Sequence, residues 1–186
     1  RSLVGSEMCI RDSAKRMSPP TLSVVLPARN ASATIERATR SILGSTHREL
    51  ELIIIDDGST DDTAEVIRQI DDPRLRLIQQ EPGGVCAAAN RGTNEARAPV
   101  IARMDADDFS HPKRLEKQLD LLRQSNVNMV GCRFRIIDTL GQAVTSLQRY
   151  EQWSNALTEP DRIVAMRFVE LPIVNPTLFG HRKWFE

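Results

Sequence analysis

A short acidic motif follows the fourth predicted strand of the chain, and its side chains could hold a metal ion. Asp105, Asp107 and Asp108 lie within one span of four residues. Carboxylates gathered at one place repel one another unless a cation or hydrogen bonds compensate them. A hard divalent cation, Mg²⁺ or Mn²⁺, would compensate them and could stabilise charge that grows on a departing phosphate group. Acidic residues also favour helix starts, so the spacing alone leaves open that Asp107 and Asp108 only begin the next helix.

Two further polar clusters, residues 27–30 and 56–59, directly follow predicted strands. The glycine and serine of the second cluster suit a tight turn before a helix, but that role does not explain the adjacent carboxylates of Asp56 and Asp57. We expect one of these carboxylates to accept a hydrogen bond from a base N–H or a ribose hydroxyl. Three arginines could balance the acidic groups or hold phosphate, namely Arg29, Arg91 and Arg103.

The elements that would position these clusters alternate between short apolar runs and helical periods, a pattern typical of strands joined by helices. The predicted strands are residues 22–26, 50–55, 75–78 and 100–104. Asn30 or Ser32 is placed to cap the first helix. Connections of this length predict a parallel sheet with right-handed crossovers. Because ligands bind outside the carboxyl ends of the strands in such sheets, all three clusters should meet in one crevice.

The remainder of the chain has a less regular pattern. The elements predicted there are an amphipathic helix beyond Pro112, a strand pair of residues 127–137 and 143–149 turned at 140–141, a helix near 161–168 and a strand over 174–179. Residues 21–186 are therefore predicted to form one α/β domain. Residues 1–20 show no period of either kind, and we expect them to be a disordered, non-native extension.

Composition excludes several classes of protein. Lys plus Arg and Asp plus Glu both number 25, so no global charge argues for a nucleic-acid partner. The cysteines are three, an odd number, which suits free thiols in a reducing compartment. We therefore expect a cytoplasmic protein, a location that includes the cytoplasmic face of a membrane. No run approaches the roughly 18 apolar residues that a membrane-spanning helix needs.

Taken together and in order, four segments resemble the family-two glycosyltransferases. They are residues 22–30 (LSVVLPARN), 52–63 (LIIIDDGSTDDT), 90–98 (NRGTNEARA) and 101–108 (IARMDADD). The resemblance runs from about residue 21 to the end of the chain. It implies a glycosyltransferase A-type (Rossmann-like), mostly parallel sheet flanked by helices. It also implies a nucleoside-diphosphate sugar donor such as a UDP-sugar, a dependence on Mn²⁺ or Mg²⁺, and a glycan, lipid-linked or other hydroxyl acceptor.

The resemblance also implies roles for particular residues. Those implied for nucleotide-sugar binding are Pro27, Ala28, Arg29, Asp57, Asn90, Asp105, Ala106 and Asp107. Among them, Asp57 would contact the base and Asp105 would lie near the ribose. Asp107 would be the principal metal ligand, with Asp105 and Asp108 beside it. The sequence departs from the family at Ala28, where an aromatic residue that can stack on the base is usual.

A second departure concerns the general base. In the family an acidic residue, commonly in a Glu-Asp pair downstream of the metal motif, deprotonates the acceptor hydroxyl for an inverting attack. No such pair follows Asp108, and residues 175–179 resemble the stretch that precedes it. We therefore expect the base to lie beyond Glu186. The 186-residue chain, incomplete at its C-terminus, should bind a nucleotide sugar with metal and transfer the sugar poorly.

Three other classes share parts of this pattern. A receiver-type phosphoacceptor domain gathers aspartates at strand ends, but it needs a basic residue after a late strand, and no late strand here ends in lysine. A nucleotidyltransferase expects a glycine-rich basic loop after the first strand, where this chain has Pro27 to Asn30. A non-catalytic nucleotide-sugar-binding module is compatible with the same clusters.

Overall fold

The computed structural model describes residues 19–138, 140–166 and 172–186. The strands are β1 (Leu22–Ala28), β2 (Leu50–Asp57), β3 (Leu75–Gln80), β4 (Val100–Arg103), β5 (Met129–Val130) and β6 (Phe179–His181). The α-helices are α1 (Ile35–Leu43), α2 (Thr63–Arg68), α3 (Val85–Glu95), α4 (Arg114–Gln124), α5 (Gln148–Ala156) and α6 (Pro160–Met166). Single 3₁₀ turns cover Thr145–Leu147, Asn175–Thr177 and Arg182–Trp184.

The strands of the described residues form one sheet in the order β3-β2-β1-β4-β6-β5. The first four are parallel, and β6 runs antiparallel to both β4 and β5. The chain builds outward from β1 through β2 to β3, then returns through α3 to place β4 on the other side of β1. The direction of strand addition therefore reverses between β1 and β4, which is where ligands bind in open sheets of this kind. The predicted mostly parallel α/β sheet is confirmed.

Helices cover both faces of the sheet, which explains why consecutive strand residues, which point to opposite faces, are all apolar. On one face, Leu22, Val24 and Leu26 pack with buried residues of α1 and α4. On the other face, α3 covers a smaller cluster of buried residues: Val25, Ile53, Ile55, Ala88, Ala96 and Ile101. Each face of β1 thus has its own hydrophobic core.

A glycine allows α3 to lie close to the sheet. A Cβ built on Gly92 would overlap with Cγ1 of Val25 and would come within 3.3 Å of Cγ1 of Ile55. Val25 and Ile55 are fully buried, so neither side chain has free space to move into. The lack of a side chain at residue 92 therefore sets the distance between α3 and strands β1 and β2.

A polar network lies at the opposite, amino edge of the sheet. Glu51 is only 5% exposed, and its Oε1 accepts hydrogen bonds from Ser23 Oγ at 2.6 Å and from the Arg97 N–H at 2.7 Å. Its Oε2 pairs with Arg76 Nη1 at 3.2 Å. Ser23 Oγ in turn accepts the Ala98 N–H at 3.1 Å. The carboxylate therefore joins β1, β2 and β3 to the segment that enters β4.

The predicted strand pair of residues 127–137 and 143–149 is largely wrong. Within it, the strand is confined to β5, one isolated bridge joins Ile137 to Ala143, and the second half forms a 3₁₀ turn and the start of α5. Side chains of α5 take the backbone groups that a partner strand would use. Asn155 accepts the Phe134 N–H at 3.0 Å and donates to its carbonyl at 2.7 Å, and Glu151 accepts the Ile136 N–H at 2.7 Å.

The boundary of the last strand also differs from the prediction. The last strand begins at Phe179 instead of residue 174, and the 3₁₀ turn Asn175–Thr177 precedes it because Pro176 has no N–H to give to a sheet. The predicted helix near 161–168 is confirmed as far as Met166. Its last two positions, and residues 1–18 of the predicted extension, lie outside the described residues.

Among residues 19–138, 140–166 and 172–186, no helix has the length and apolar character needed to cross a membrane.

Gly92→Val should destabilise the fold, because the added carbons would overpack the closed space between α3 and β1. We expect the free energy of unfolding, measured by urea titration, to fall by about 1–3 kcal/mol. Asn94→Val places the same side chain on the exposed face of the same helix and should change stability little. Equal stabilities of the two variants would show that α3 is not held at this contact.

Glu51→Ala should also lower the free energy of unfolding, by about 2–4 kcal/mol, because the Ser23 hydroxyl and the Arg97 N–H lose their acceptor and Arg76 keeps only Glu95. Glu49→Ala removes an exposed carboxylate two residues earlier and serves as the control in the same urea titration. A loss no larger than that of the control would mean that solvent replaces the acceptor freely.

Candidate functional site

The three polar clusters predicted from the sequence lie at one edge of the sheet. The strands that precede them are neighbours and run parallel, with Ala28 opposite Asp56 and Val25 opposite Arg103. All three clusters therefore leave the sheet at its carboxyl edge. They flank the point between β1 and β4 where strand order reverses. The predicted meeting of the clusters at the carboxyl edge is confirmed.

The loops after β1 and β2 are tied together by Asn30. This residue has a left-handed φ of 49°, its Oδ1 accepts the Thr60 N–H at 2.8 Å, and its own N–H donates to Ser59 Oγ at 2.9 Å. The Ser32 N–H donates to Asp61 Oδ2 at 3.1 Å. Thr34 precedes α1 and makes no side-chain capping bond. The prediction that Asn30 or Ser32 caps α1 is therefore wrong, because their polar groups bind the neighbouring loop.

The adjacent carboxylates of β2 have different partners. Asp56 is buried and accepts the Ser59 N–H and Gln79 Nε2, each at 3.1 Å. Its role is to hold the end of its own loop and of β3. The pair predicted from the sequence is therefore divided, and Asp57 alone reaches the start of α3.

Asp57 orders the turn before α3. Its Oδ1 accepts the Gly83 N–H at 2.8 Å and Gln80 Nε2 at 2.7 Å, and its Oδ2 accepts the Gly84 N–H at 2.8 Å. The hydrogen bond from Gly83 lowers the pKa of this carboxyl, against the opposing effect of burial. Gly84 has a φ of 87°, which favours glycine. Asp57 is only 3% exposed, and the described residues fill three of the about four acceptor positions of its ionised carboxylate, which leaves one on Oδ2.

The other residues of the predicted nucleotide pocket lie at the end of β1, in the loop after it and on α3. Pro27 and Ala28 end β1 and are buried, whereas Arg29 is exposed in the loop that follows. Asn90 is exposed on the second turn of α3. Arg91 pairs with Glu95 on the same helix at 3.1 Å, so its guanidinium already has an acidic partner.

The acidic turn after β4 is fastened to the helices around it. The Asp108 N–H donates to the Asp105 carbonyl at 3.3 Å, and Arg37 of α1 donates to the Asp107 carbonyl at 2.9 Å. The Ser110 N–H donates to Ser41 Oγ, also on α1, at 3.0 Å. Asp107 is exposed, while Asp105, Ala106 and Asp108 are partly buried. The turn thus presents Asp107 to solvent on a fixed main chain.

The electrostatics of this turn disfavour its negative charge. Burial raises the pKa of Asp105, with Arg103 opposing the shift and Asp107 adding to it. Burial, followed by repulsion from Asp105 and Asp107, raises the pKa of Asp108 to about 6. A divalent cation would relieve this repulsion, so the residues present fit a metal with oxygen ligands. In the described part of the chain, however, no three His, Cys, Asp or Glu side chains gather into a complete ligand set.

Arg114, at the start of α4, holds the base of the acidic turn. Its Nη2 donates to the Arg103 carbonyl at 2.7 Å and to the Pro176 carbonyl at 2.8 Å, and its Nη1 contacts Met104 Sδ at 3.3 Å. It also interacts electrostatically with Asp105 and Asp108. The sequence analysis did not identify this residue. The only feature of the sequence that indicates Arg114 is a basic side chain within six positions of Asp108, and Lys113 shares that feature.

Two cavities lie away from this edge. One, of about 530 Å³, is lined by basic residues near the amino end of β4, including Arg97 and Lys183. The other, of about 410 Å³, is mostly apolar and lies between β5 and helices α4 to α6. Neither of these two cavities is lined by residues 27–30, 56–59 or 105–108.

Comparison with known proteins places this architecture in a family. The sequence model described as glycosyl transferase family 2 matches residues 23–186. An uncharacterized glycosyltransferase of Haemophilus influenzae is 34% identical over 131 residues, which are 69% of this chain and 52% of that protein. The chain spans about half, or less, of the length of the curated relatives it matches.

Solved structures show the same fold at low sequence identity. TarS of S. aureus in complex with UDP-GlcNAc has a TM-score of 0.69 and 19% identity, over 87% of this chain and 45% of that chain. The mannosyltransferase PcManGT of Pyrobaculum calidifontis, in complex with GDP-Man and Mn²⁺, has a TM-score of 0.57 and 24% identity, over 65% of this chain and 36% of that chain. With its family match covering residues 23–186 and its glycosyltransferase A-type sheet, the chain belongs to glycosyl transferase family 2.

Proposed function

We propose that this chain provides the donor site of a metal-dependent, inverting glycosyltransferase that moves a sugar from a nucleoside-diphosphate sugar, a UDP-sugar, to an acceptor hydroxyl. The observation that carries the proposal is the junction of β1, β2 and β4, where residues 27–30, 56–59 and 105–108 all follow the carboxyl ends of neighbouring parallel strands. Family membership and relatives named as glycosyltransferases support the reaction class.

The residues would share the donor as follows. Pro27, Ala28 and Arg29 line the nucleotide side of the crevice, with Asn90 facing it from α3. Asp57 uses its remaining acceptor position on the base, and Asp105 accepts a hydrogen bond from the ribose. Arg37 and Arg114 hold the backbone of the turn that carries Asp107. The turn therefore need not be ordered when the metal and the diphosphate bind.

A bound Mn²⁺ or Mg²⁺ would act as a Lewis acid on the departing diphosphate. Asp107 would be its principal ligand, because it is the exposed carboxylate of the turn, and Asp105 and Asp108 would lie beside it. Oxygens of the diphosphate and water would complete the coordination, which agrees with the incomplete protein ligand set. The GDP-Man and Mn²⁺ of PcManGT support a donor and a metal of this chemistry.

The acceptor would be a hydroxyl of a glycan, of a lipid-linked glycan or of another molecule, and inversion follows from its direct in-line attack on the anomeric carbon. We place the reaction in the cytoplasm, which includes the cytoplasmic face of a membrane. The free thiols of Cys86 and Cys132 support a reducing compartment.

Asp107→Ala should remove metal-dependent donor binding. In calorimetric titrations with UDP and with GDP, we expect the wild-type chain to bind one of them with Mn²⁺ and much more weakly without it. In the presence of Mn²⁺, the affinity of the variant for this nucleotide should be about tenfold lower than that of the wild type, or lower still. Asp71→Ala removes an exposed aspartate that precedes β3 at the opposite edge of the sheet and should bind like the wild type. Metal-independent binding, or equal affinities of the two variants, would contradict the proposal.

Asp57→Asn should lower both stability and affinity for the nucleotide. The amide lacks the second acceptor oxygen, so the Gly83 and Gly84 N–H groups are no longer both satisfied, at a cost of about 1–3 kcal/mol at pH 7. Because the pKa of folded Asp57 is below its ordinary 3.8, this contribution is present above that value and is lost as the pH falls through the folded pKa. Urea titrations across this range should therefore show the wild type approaching the variant.

Asp62→Asn, at an exposed carboxylate in the neighbouring loop, is the control for that series. A difference between Asp57→Asn and the wild type that stays constant as the pH falls would show that the ionised carboxylate is not what holds the turn.

A further inference from the structure

Arg103 is the last residue of β4 and lies two positions before Asp105. It is opposite Val25 in the register, and it is two residues beyond Ile101, so its side chain shares their face of the sheet. Val25 and Ile101 belong to the cluster that α3 covers. The first turn of α3 lies at the carboxyl edge, since this helix returns antiparallel to the strands. Arg103 therefore extends from the end of β4 toward the start of α3.

The guanidinium of Arg103 has an incomplete set of partners. Its Nε is buried and has no hydrogen-bond partner in the described part of the chain. The side chain is only partly exposed, and no ion pair among the described residues includes it. A guanidinium carries five N–H donors, and a buried donor without an acceptor is costly. The main chain of Arg103, in contrast, is fixed by hydrogen bonds to Leu178 and Arg114.

The groups that act electrostatically on Arg103 indicate which part of the crevice it faces. They are Asp105 and Cys86, the latter on the first turn of α3. Two residues before Cys86 is Gly84, whose N–H binds Asp57. Arg103 thus lies near Asp105 and the first turn of α3, toward the turn that Asp57 orders.

We propose that Arg103 is a nucleoside-binding residue whose guanidinium donates hydrogen bonds to a carbonyl oxygen of the donor's base. The inference rests on the donor-binding function proposed above. With one acceptor position of Asp57 and the N–H groups of Arg103, the pocket would offer an acceptor and a donor from its two sides. Uracil and guanine both carry an N–H beside a carbonyl on one edge, and adenine lacks that carbonyl. The pair would therefore favour a uracil or guanine nucleotide over an adenine nucleotide.

Another role for the same side chain would be to balance the charge of Asp105 or to hold the diphosphate. These roles give different results with partial ligands. A base contact is lost equally with a nucleoside diphosphate and with its monophosphate, and it leaves pyrophosphate binding unchanged. A diphosphate contact weakens pyrophosphate binding, and a purely structural charge lowers the stability of the unliganded chain.

The test uses Arg103→Met, which keeps the length of the side chain and removes its donors. Calorimetric titrations with Mn²⁺ compare UDP, UMP and pyrophosphate, with GDP and GMP in parallel. We expect the affinity for the preferred nucleoside diphosphate to fall by about tenfold or more, since a charge-assisted hydrogen bond is removed. The affinity for the corresponding monophosphate should fall by a similar factor. Pyrophosphate binding should be unchanged, and ADP should bind the wild type less tightly than the preferred nucleotide.

Two further variants complete the design. Arg103→Lys keeps the charge without the planar fork and should recover little of the lost affinity. Arg97→Met alters an exposed arginine at the opposite end of β4 and is the control for unliganded thermal unfolding. The proposal is overturned if Arg103→Met binds the nucleotides like this control, if pyrophosphate binding falls by as much, or if the unliganded melting temperature falls further than in the control. Failure of the wild type to bind either UDP or GDP would instead remove the proposed function itself.

Discussion

Parallel pairing of β1 with both of its neighbours is the constraint on which the candidate site depends. The acidic turn is separated from the loop after β1 by more than seventy residues of sequence. What brings them together is the register that puts Val25 opposite Arg103 and Ala28 opposite Asp56. That register is held from both faces, because the alternating side chains of β1 enter two different cores. It is also held at the amino edge, where Glu51 joins three strands to the segment entering β4. A slip by one residue would turn each apolar side chain to the other face.

The crevice combines a rigid main chain with charges that are poorly compensated. Arg37 binds the carbonyl oxygen of Asp107, and Arg114 binds that of Arg103 just before the acidic turn, so both fix the backbone there. Burial raises the pKa of Asp105 and of Asp108, and repulsion from neighbouring carboxylates adds to both shifts. On the other side of the crevice, the charge of Asp57 is well stabilised by the N–H groups of its turn. One part of the edge is therefore suited to a cation and another to a neutral hydrogen-bonding group, which is the division that a nucleotide with a metal-bound diphosphate requires.

Segments whose own hydrophobic pattern specifies their structure were predicted correctly. Segments whose polar groups bind partners remote in sequence were not. The strands before residue 104 were predicted well, because continuous apolar runs bounded by turn residues are typical of strands buried on both faces. Residues 127–149 were predicted poorly, since the side chains of Asn155 and Glu151 satisfy a backbone that looks like a strand. Asn30 was expected to cap its own helix, but its amide binds the loop after β2. In both cases a partner remote in sequence took the hydrogen bond.

The sequence by itself determined the α/β class, the order of the first four strands along the chain and the three polar clusters at their carboxyl ends. It also carried the family resemblance, since the motifs are contiguous strings of residues. The tertiary structure alone decided that Asp56 faces its own loop while Asp57 orders the start of α3, and that Arg114 holds the acidic turn from a later helix. It also decided that the buried Nε of Arg103 has no hydrogen-bond partner among the described residues. These distinctions depend on which way neighbouring side chains point and on what lies within hydrogen-bond distance, and the spacing of residues along a chain does not contain that information.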